Sequence, residues 1–208
     1  MTLLALLFLV TAILYSSVGF GGGSTYLALL LIWEIPYFII PVIALSCNTI
    51  VVSGNCFNYI RVGNLNHKLL FPYLIGSIPL AYMGGSLSIE KQLFEILLFI
   101  VLLVAGLLLL FNFKSYDDKD ESYKKIPIFI SILIGGLIGF ISGIVGIGGG
   151  IFLSPILFLI RAGKPKYIVT AASLFILINS ISGIIGQLTK NAVLIEIQNY
   201  WYLLIAVL

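Results

Sequence analysis

Two short glycine strings carry most of the chemistry that this sequence can do. Val18-Gly19-Phe20-Gly21-Gly22-Gly23 and Val145-Gly146-Ile147-Gly148-Gly149-Gly150 each interrupt a long apolar run. Consecutive glycines cost a helix about 1 kcal/mol each relative to alanine, so each string is expected to break one. The half-helices that resume at Ser24 and at Ile151 then present free amide groups and the positive end of a helix dipole, which suit an anion. Glycine also leaves no side chain to hold a solute off the backbone. The candidate solute contacts are therefore Gly19, Gly21, Gly22, Gly23 and Ser24 in the first string, with Gly146, Gly148, Gly149, Gly150 and Ile151 in the second.

Uncharged polar residues inside the apolar runs extend this set. Ser46 and Ser53 are seven residues apart, as are Asn48 and Asn55, so each pair shares one helical face, and Asn58 continues the second stripe. Farther along, Ser173, Ser180 and Gln187 form a similar row with Asn179 beside it. Such groups either line a polar path for an anion or make interhelical hydrogen bonds, worth roughly 0.6–2 kcal/mol per contact. Both readings stay open. Gly135, Gly139 and Gly143 recur every four residues, which reads as close packing between membrane helices.

Other chemistry is excluded by residue type. Proton pumps commonly bury an Asp, Glu or His relay, and the spans offer only Glu95, one turn after Lys91. The single histidine, His67, lies in the polar stretch RVGNLNHK and reads as interfacial. There is no phosphate-binding loop, metal-ligand cluster or Ser-His-Asp set, and the GxG patterns lack the soluble strand and helix of a dinucleotide site. No enzyme, cofactor or metal is expected. Cys47 and Cys56 fall about 13 Å apart on opposite faces of one predicted helix, so they cannot bridge each other and read as small apolar packing.

The elements that must position these residues are membrane helices. Of 208 residues 61% are hydrophobic and 9% charged, with a mean hydropathy of +1.18; soluble domains carry about 25% charge. Residues 1–33, 38–60, 69–89, 126–160 and 167–189 hold no Asp, Glu, Lys or Arg, and about 20 apolar residues cross a bilayer. The start of the chain lacks the basic region and the soluble sequel of a secretory signal. The partners implied are the lipid bilayer and a small anionic solute. A net charge of +3, spread over loops, points to no nucleic-acid partner.

Residues 3–32 and 126–160 are too long for one ordinary span and too short for two. If both cross as broken helices, the eleven Lys and Arg residues divide seven to four between the two sides. If both are re-entrant hairpins, the division is nine to two, with only Lys91 and Lys190 on the poorer side. The positive-inside rule favours hairpins. Unwound backbone at that depth is tolerated only where protein or water covers it.

The two strings recur at an offset of 127 residues, and at that offset Ala44 matches Ala171, Ser46 matches Ser173 and Ser53 matches Ser180. The reading is an internal duplication: a first transmembrane repeat over 1–113, a hydrophilic loop over 114–125 and a second repeat over 126–208. The counterpart of the run ending at Phe113 would lie near position 240, so the second repeat is expected to be incomplete. The expected fold is an all-α integral membrane protein, a polytopic helical bundle of two homologous repeats, each with a glycine-broken or re-entrant helix.

The duplicated VGFGGG and SGIVGIGGGIFLSPIL motifs, the small-residue helices that follow them and the central hydrophilic loop resemble the TauE/SafE family of anion exporters. The second motif, with Ser154 and Pro155, is the more specific; the first copy has Ala28 where the second has Pro155. The resemblance implies export or exchange of small sulfur-containing anions, such as sulfite or organosulfonates, across the bacterial cytoplasmic membrane. The mechanism expected from two inverted repeats is alternating access between them. The alternative is an anion channel with the glycine breaks as its selectivity constriction.

Overall fold

A computed structural model describes residues 2–110, 124, 126–190, 193 and 197–208. Most of the central loop at 114–125 lies outside these residues. Every regular element among them is helical, in the order α1 (Thr2–Ser17), α2 (Gly23–Ile32), α3 (Ile40–Arg61), α4 (His67–Ser86), α5 (Lys91–Leu110), α6 (Ile128–Val145), α7 (Gly150–Leu159) and α8 (Pro165–Gln187). A short 3₁₀ turn and a last helix, α9 (Trp201–Ala206), follow. Five helices, α3, α4, α5, α6 and α8, are long and apolar enough to cross a membrane.

Both glycine strings break the chain, and the break is a reversal. Gly22, at φ 83°, precedes α2, while Gly146 ends α6 at φ 91° and Gly149 precedes α7 at φ 80°. These left-handed conformations favour glycine because they carry no Cβ penalty there. Tyr26, one turn into α2, stacks on Phe8 in α1 with ring centroids 4.7 Å apart. Eighteen residues of continuous helix would separate those rings by about 27 Å, so α2 doubles back along α1. The second string turns in the same way. Leu137, Ile138 and Ile141 of α6 line one apolar groove with Phe152 and Ile156 of α7. The half-helices start at Gly23 and Gly150, one residue earlier than the sequence suggested.

Which loops share an end of the bundle follows from the two reversals. At one end the Lys124 N–H donates to the Arg161 carbonyl at 3.2 Å, and Tyr167 shares a recess with Asn66, His67 and Lys68. At the other end Tyr37, Leu87, Ile89 and Lys190 surround one cavity. Since α3, α4, α5 and α8 each run once between the ends, these neighbours meet only if the α6–α7 unit is a hairpin, while the Phe8–Tyr26 stack makes the α1–α2 unit one.

The packed centre is α3, α4, α6 and α8. Close approach of α4 to α6 depends on glycine: a Cβ on Gly135, Gly139 or Gly143 would strike the carbonyl oxygen of Tyr73, Ser77 or Ala81 respectively. The four-residue spacing read from the sequence is thus a packing ridge. By contrast α5 buries the single stripe Phe94, Leu98, Val101 and Ala105 and leaves Leu93, Ile96, Phe99, Leu103 and Leu107 exposed. Such a helix is at home against lipid tails.

Candidate functional site

Asn48 stands where the two hairpins meet. Its side chain, on α3, is 1% exposed, and its Nδ2 donates to the Ile147 carbonyl of the second string at 3.2 Å. Three glycines make room for it. A Cβ on Gly23 would lie 2.5 Å from Nδ2, one on Gly148 would lie 2.9 Å from it, and one on Gly21 would strike Oδ1. The strings thus approach each other with a single carboxamide wedged between them. Oδ1 of Asn48 is buried and finds no hydrogen-bond partner among the described residues, an arrangement that costs about 1–3 kcal/mol unless a ligand donates to it.

Beside Asn48 lies a cavity of about 340 Å³, lined by Gly21, Gly22, Gly23 and Ser24 together with Ile147, Ile151 and Ser154. Tyr15, Phe20 and Phe158 supply aromatic wall, and no charged side chain lines it. The N–H groups of Thr25 and Tyr26 turn back to the Gly22 carbonyl, both at 3.0 Å. Gly23 and Ser24 are left as the first-turn amides with no acceptor inside the helix, at the positive end of its dipole. The hairpin is clipped in place by Thr25, whose hydroxyl donates to the Tyr15 hydroxyl at 3.0 Å. On its other flank the Ser173 hydroxyl bridges the Gly19 carbonyl and the Val169 carbonyl of its own helix.

The second string is packed more tightly. Gly146 lies against the Pro41 backbone, Gly149 against Ile138 and Phe175, and Gly150 against Ile176. Phe152 and Leu153 donate to the Gly149 carbonyl at 3.1 and 3.2 Å, and of the five residues picked in this string only Ile151 lines the cavity. The two strings therefore differ in role: the first faces open space, and the second presses on it through Ile147.

The polar rows divide in the same manner. Ser53 and Asn58 are exposed, and the Ser53 hydroxyl donates to the Ile50 carbonyl of its own helix. Asn55 and Ser46 are half-buried, and neither lines the cavity. Residues seven apart drift about 20° per heptad, and the row leaves the hairpins behind as α3 continues past them. On α8, Asn179 and Ser180 are fully buried. Both amide atoms of Asn179, and the Ser180 hydroxyl, have no partner among the described residues. A Cβ on Gly148 would lie 3.2 Å from the Ser180 Oγ, which places that hydroxyl beside the Asn48 amide. Gln187 sits elsewhere, its Nε2 donating to the Gly143 carbonyl at 2.8 Å. Tyr15 and Thr25 were missed by sequence reasoning; a hydroxyl on each side of the first string was the available signal.

Among the described residues no cluster of His, Cys, Asp or Glu could hold a metal. Cys47 and Cys56 are both free and buried. What the arrangement can do is bind, orient and release a small polar solute.

Comparison with known proteins agrees with a transport role. The sulfite exporter TauE/SafE family is matched over residues 3–208. A probable membrane transporter protein of Sinorhizobium fredii is 26% identical over 204 residues, covering 98% of this chain and 83% of the relative. One of Methanocaldococcus jannaschii is 31% identical over 198 residues, covering 91% of this chain and 73% of the relative. One of Bacillus subtilis is 23% identical, covering 92% and 79%. No solved structure matches the chain.

Proposed function

The chain belongs to the sulfite exporter TauE/SafE family, a family of transporters rather than enzymes, and from that premise we propose that it is a secondary exporter of small sulfur-containing anions. The observation that carries this reading is the Asn48 carboxamide, buried between two glycine breaks with an unpartnered oxygen beside an open cavity. Sulfite is partly protonated near neutral pH, so hydrogensulfite brings one O–H donor and several acceptor oxygens. Its hydroxyl satisfies Asn48 Oδ1, and its charged oxygens take the amides of Gly23 and Ser24. Proton movement would then accompany the solute itself, in a chain whose described buried residues include no acid.

Alternating access is the mechanism proposed. Support comes from equivalent conformations at equal offsets: Gly22 and Gly149 are left-handed at φ 83° and 80°, Gly19 and Gly146 at 86° and 91°, and Glu34 and Arg161 at 55° and 50°. That pattern is what two homologous repeats would produce, and two hairpins entering from opposite ends of the bundle give inverted repeats a symmetric pair of gates. In the orientation favoured by the positive-inside rule, the end with Arg61, Lys68, Arg161, Lys164 and Lys166 faces the bacterial cytoplasm.

The test is flux of radiolabelled sulfite into proteoliposomes by the wild type and by Asn48→Leu. The variant is expected to lose at least about tenfold in rate, the equivalent of one buried polar contact, while inserting normally. Equal flux in both proteins would refute the site. Saturable counterflow distinguishes this carrier from a channel, which would show none.

A further inference from the structure

A second cavity, of about 200 Å³, lies at the opposite end of the bundle from Arg161 and Lys164. Its wall combines Tyr37, Leu87, Ser88, Phe94, Ile144 and Lys190, with Gln187 at its base. Gln187 is fully buried and held by its Nε2 to the Gly143 carbonyl, at the end of α6 where the second glycine string begins. Its Oε1 accepts from the Lys190 ammonium at 2.9 Å. The only ion pair among the described residues is Lys91 with Glu95, so Lys190 is a cation turned inward onto a neutral amide. Ile144, in the last turn of α6, lines this cavity, Gly146 packs against Pro41 on its wall, and Ile147 lines the Asn48 cavity, so the second glycine string lies between the two.

We propose that Lys190, braced by Gln187, is a second anion-binding site for a small sulfonate or sulfite-like oxyanion, placed in the vestibule on the far side of the second glycine string from Asn48. A cation half-buried among Tyr37, Leu87 and Phe94 gives up part of its hydration, and among the described residues its side-chain hydrogen bond goes to Gln187 alone. An oxyanion arriving in the cavity restores a full charge-assisted hydrogen bond, and the apolar wall takes a short organic body such as that of an alkylsulfonate. Loss of solvent also pushes the Lys190 amine down to about 8. The ammonium is present below that pH and lost above it, so anion binding here falls as pH rises through about 8. Among the described residues Tyr37 is the other titratable group on the cavity wall; those contributed by α5 and α6 bring none. In the proposed orientation this is the extracytoplasmic exit, where a solute pauses after the glycine gate and before release. That placement in the route rests on the export reading, whereas the binding site does not.

Amine acylation of the purified wild-type protein in phosphatidylcholine nanodiscs, read by mass spectrometry at Lys190 and at Lys166, tests the site without requiring transport. Methanesulfonate is expected to slow labelling of Lys190 about fivefold once it exceeds its dissociation constant severalfold, leaving Lys166 unchanged. Equal labelling of Lys190 with and without the anion overturns the proposal. Protection seen only in phosphatidylglycerol nanodiscs, with methanesulfonate inert, also overturns it, because the occupant would then be a lipid headgroup. In proteoliposomes Lys190→Met is expected to raise the KM for sulfite about tenfold with little change in maximal rate, and Lys190→Arg to recover most of it. An unchanged KM in Lys190→Met counts against a place in the route. Should wild type carry no anion at all, the export reading falls while the labelling result still decides the site.

Discussion

Asn48 shows how much one side chain can be asked to do. It closes the gap between two backbone breaks and commits one amide hydrogen to Ile147, leaving its oxygen without a partner among the described residues. Gly21→Ala is expected to impair flux because the new methyl displaces that carboxamide; transport assays with a thermal melt of the same preparation separate this from unfolding. Ser180→Ala offers a sharper contrast. Its hydroxyl has no protein partner to lose among the described residues, so stability should change by less than about 0.5 kcal/mol while sulfite uptake falls. Unchanged uptake would remove Ser180 from the site. Asn48 and Ser180 were legible in the sequence as polar residues in apolar runs, but Ser53, chosen by the same rule, is solvent- or lipid-facing.

Helix α6 carries two functions on one face. Its glycines let α4 approach backbone to backbone, and its C-terminal turn delivers the second string to Asn48. A branched side chain at Gly139 would push into the Ser77 backbone and is expected to cost about 1–3 kcal/mol through overpacking. Gly139→Val should therefore lower the melting temperature in detergent, whereas Gly106→Ala on α5, which has open space around it, should not. Similar melting of both variants would mean that the α4–α6 seam is not limiting for stability. The four-residue glycine spacing marks this seam in the sequence itself, because close helix packing imposes that period directly on the residues that allow it.

For the whole molecule the hairpins set which loops share a side. Single cysteines at Glu34 and Lys91 are expected to react from one face of the membrane and a cysteine at Lys68 or Lys164 from the other, with Cys47 and Cys56 buried and silent. Labelling of positions 34 and 164 from the same face would instead require helices that cross, and the inverted arrangement would fail with it. Charge counting alone preferred hairpins because loops of a membrane protein sort by positive charge.

Length, hydropathy and residue type determined by themselves that this chain is a bundle of membrane helices broken at two glycine strings, because a bilayer admits few backbone solutions and glycine is a poor helix former. Family membership was likewise readable from the motif around Gly148. Tertiary structure alone decided that the first string faces a cavity while the second is packed shut, that Asn48 rather than the serine row joins them, and that Lys190 turns inward onto Gln187. These depend on pairs distant in the chain, such as Asn48 with Ile147 or Gly19 with Ser173. Periodicity along one helix assigns a residue to a face, but which neighbour covers that face is settled only when the helices pack.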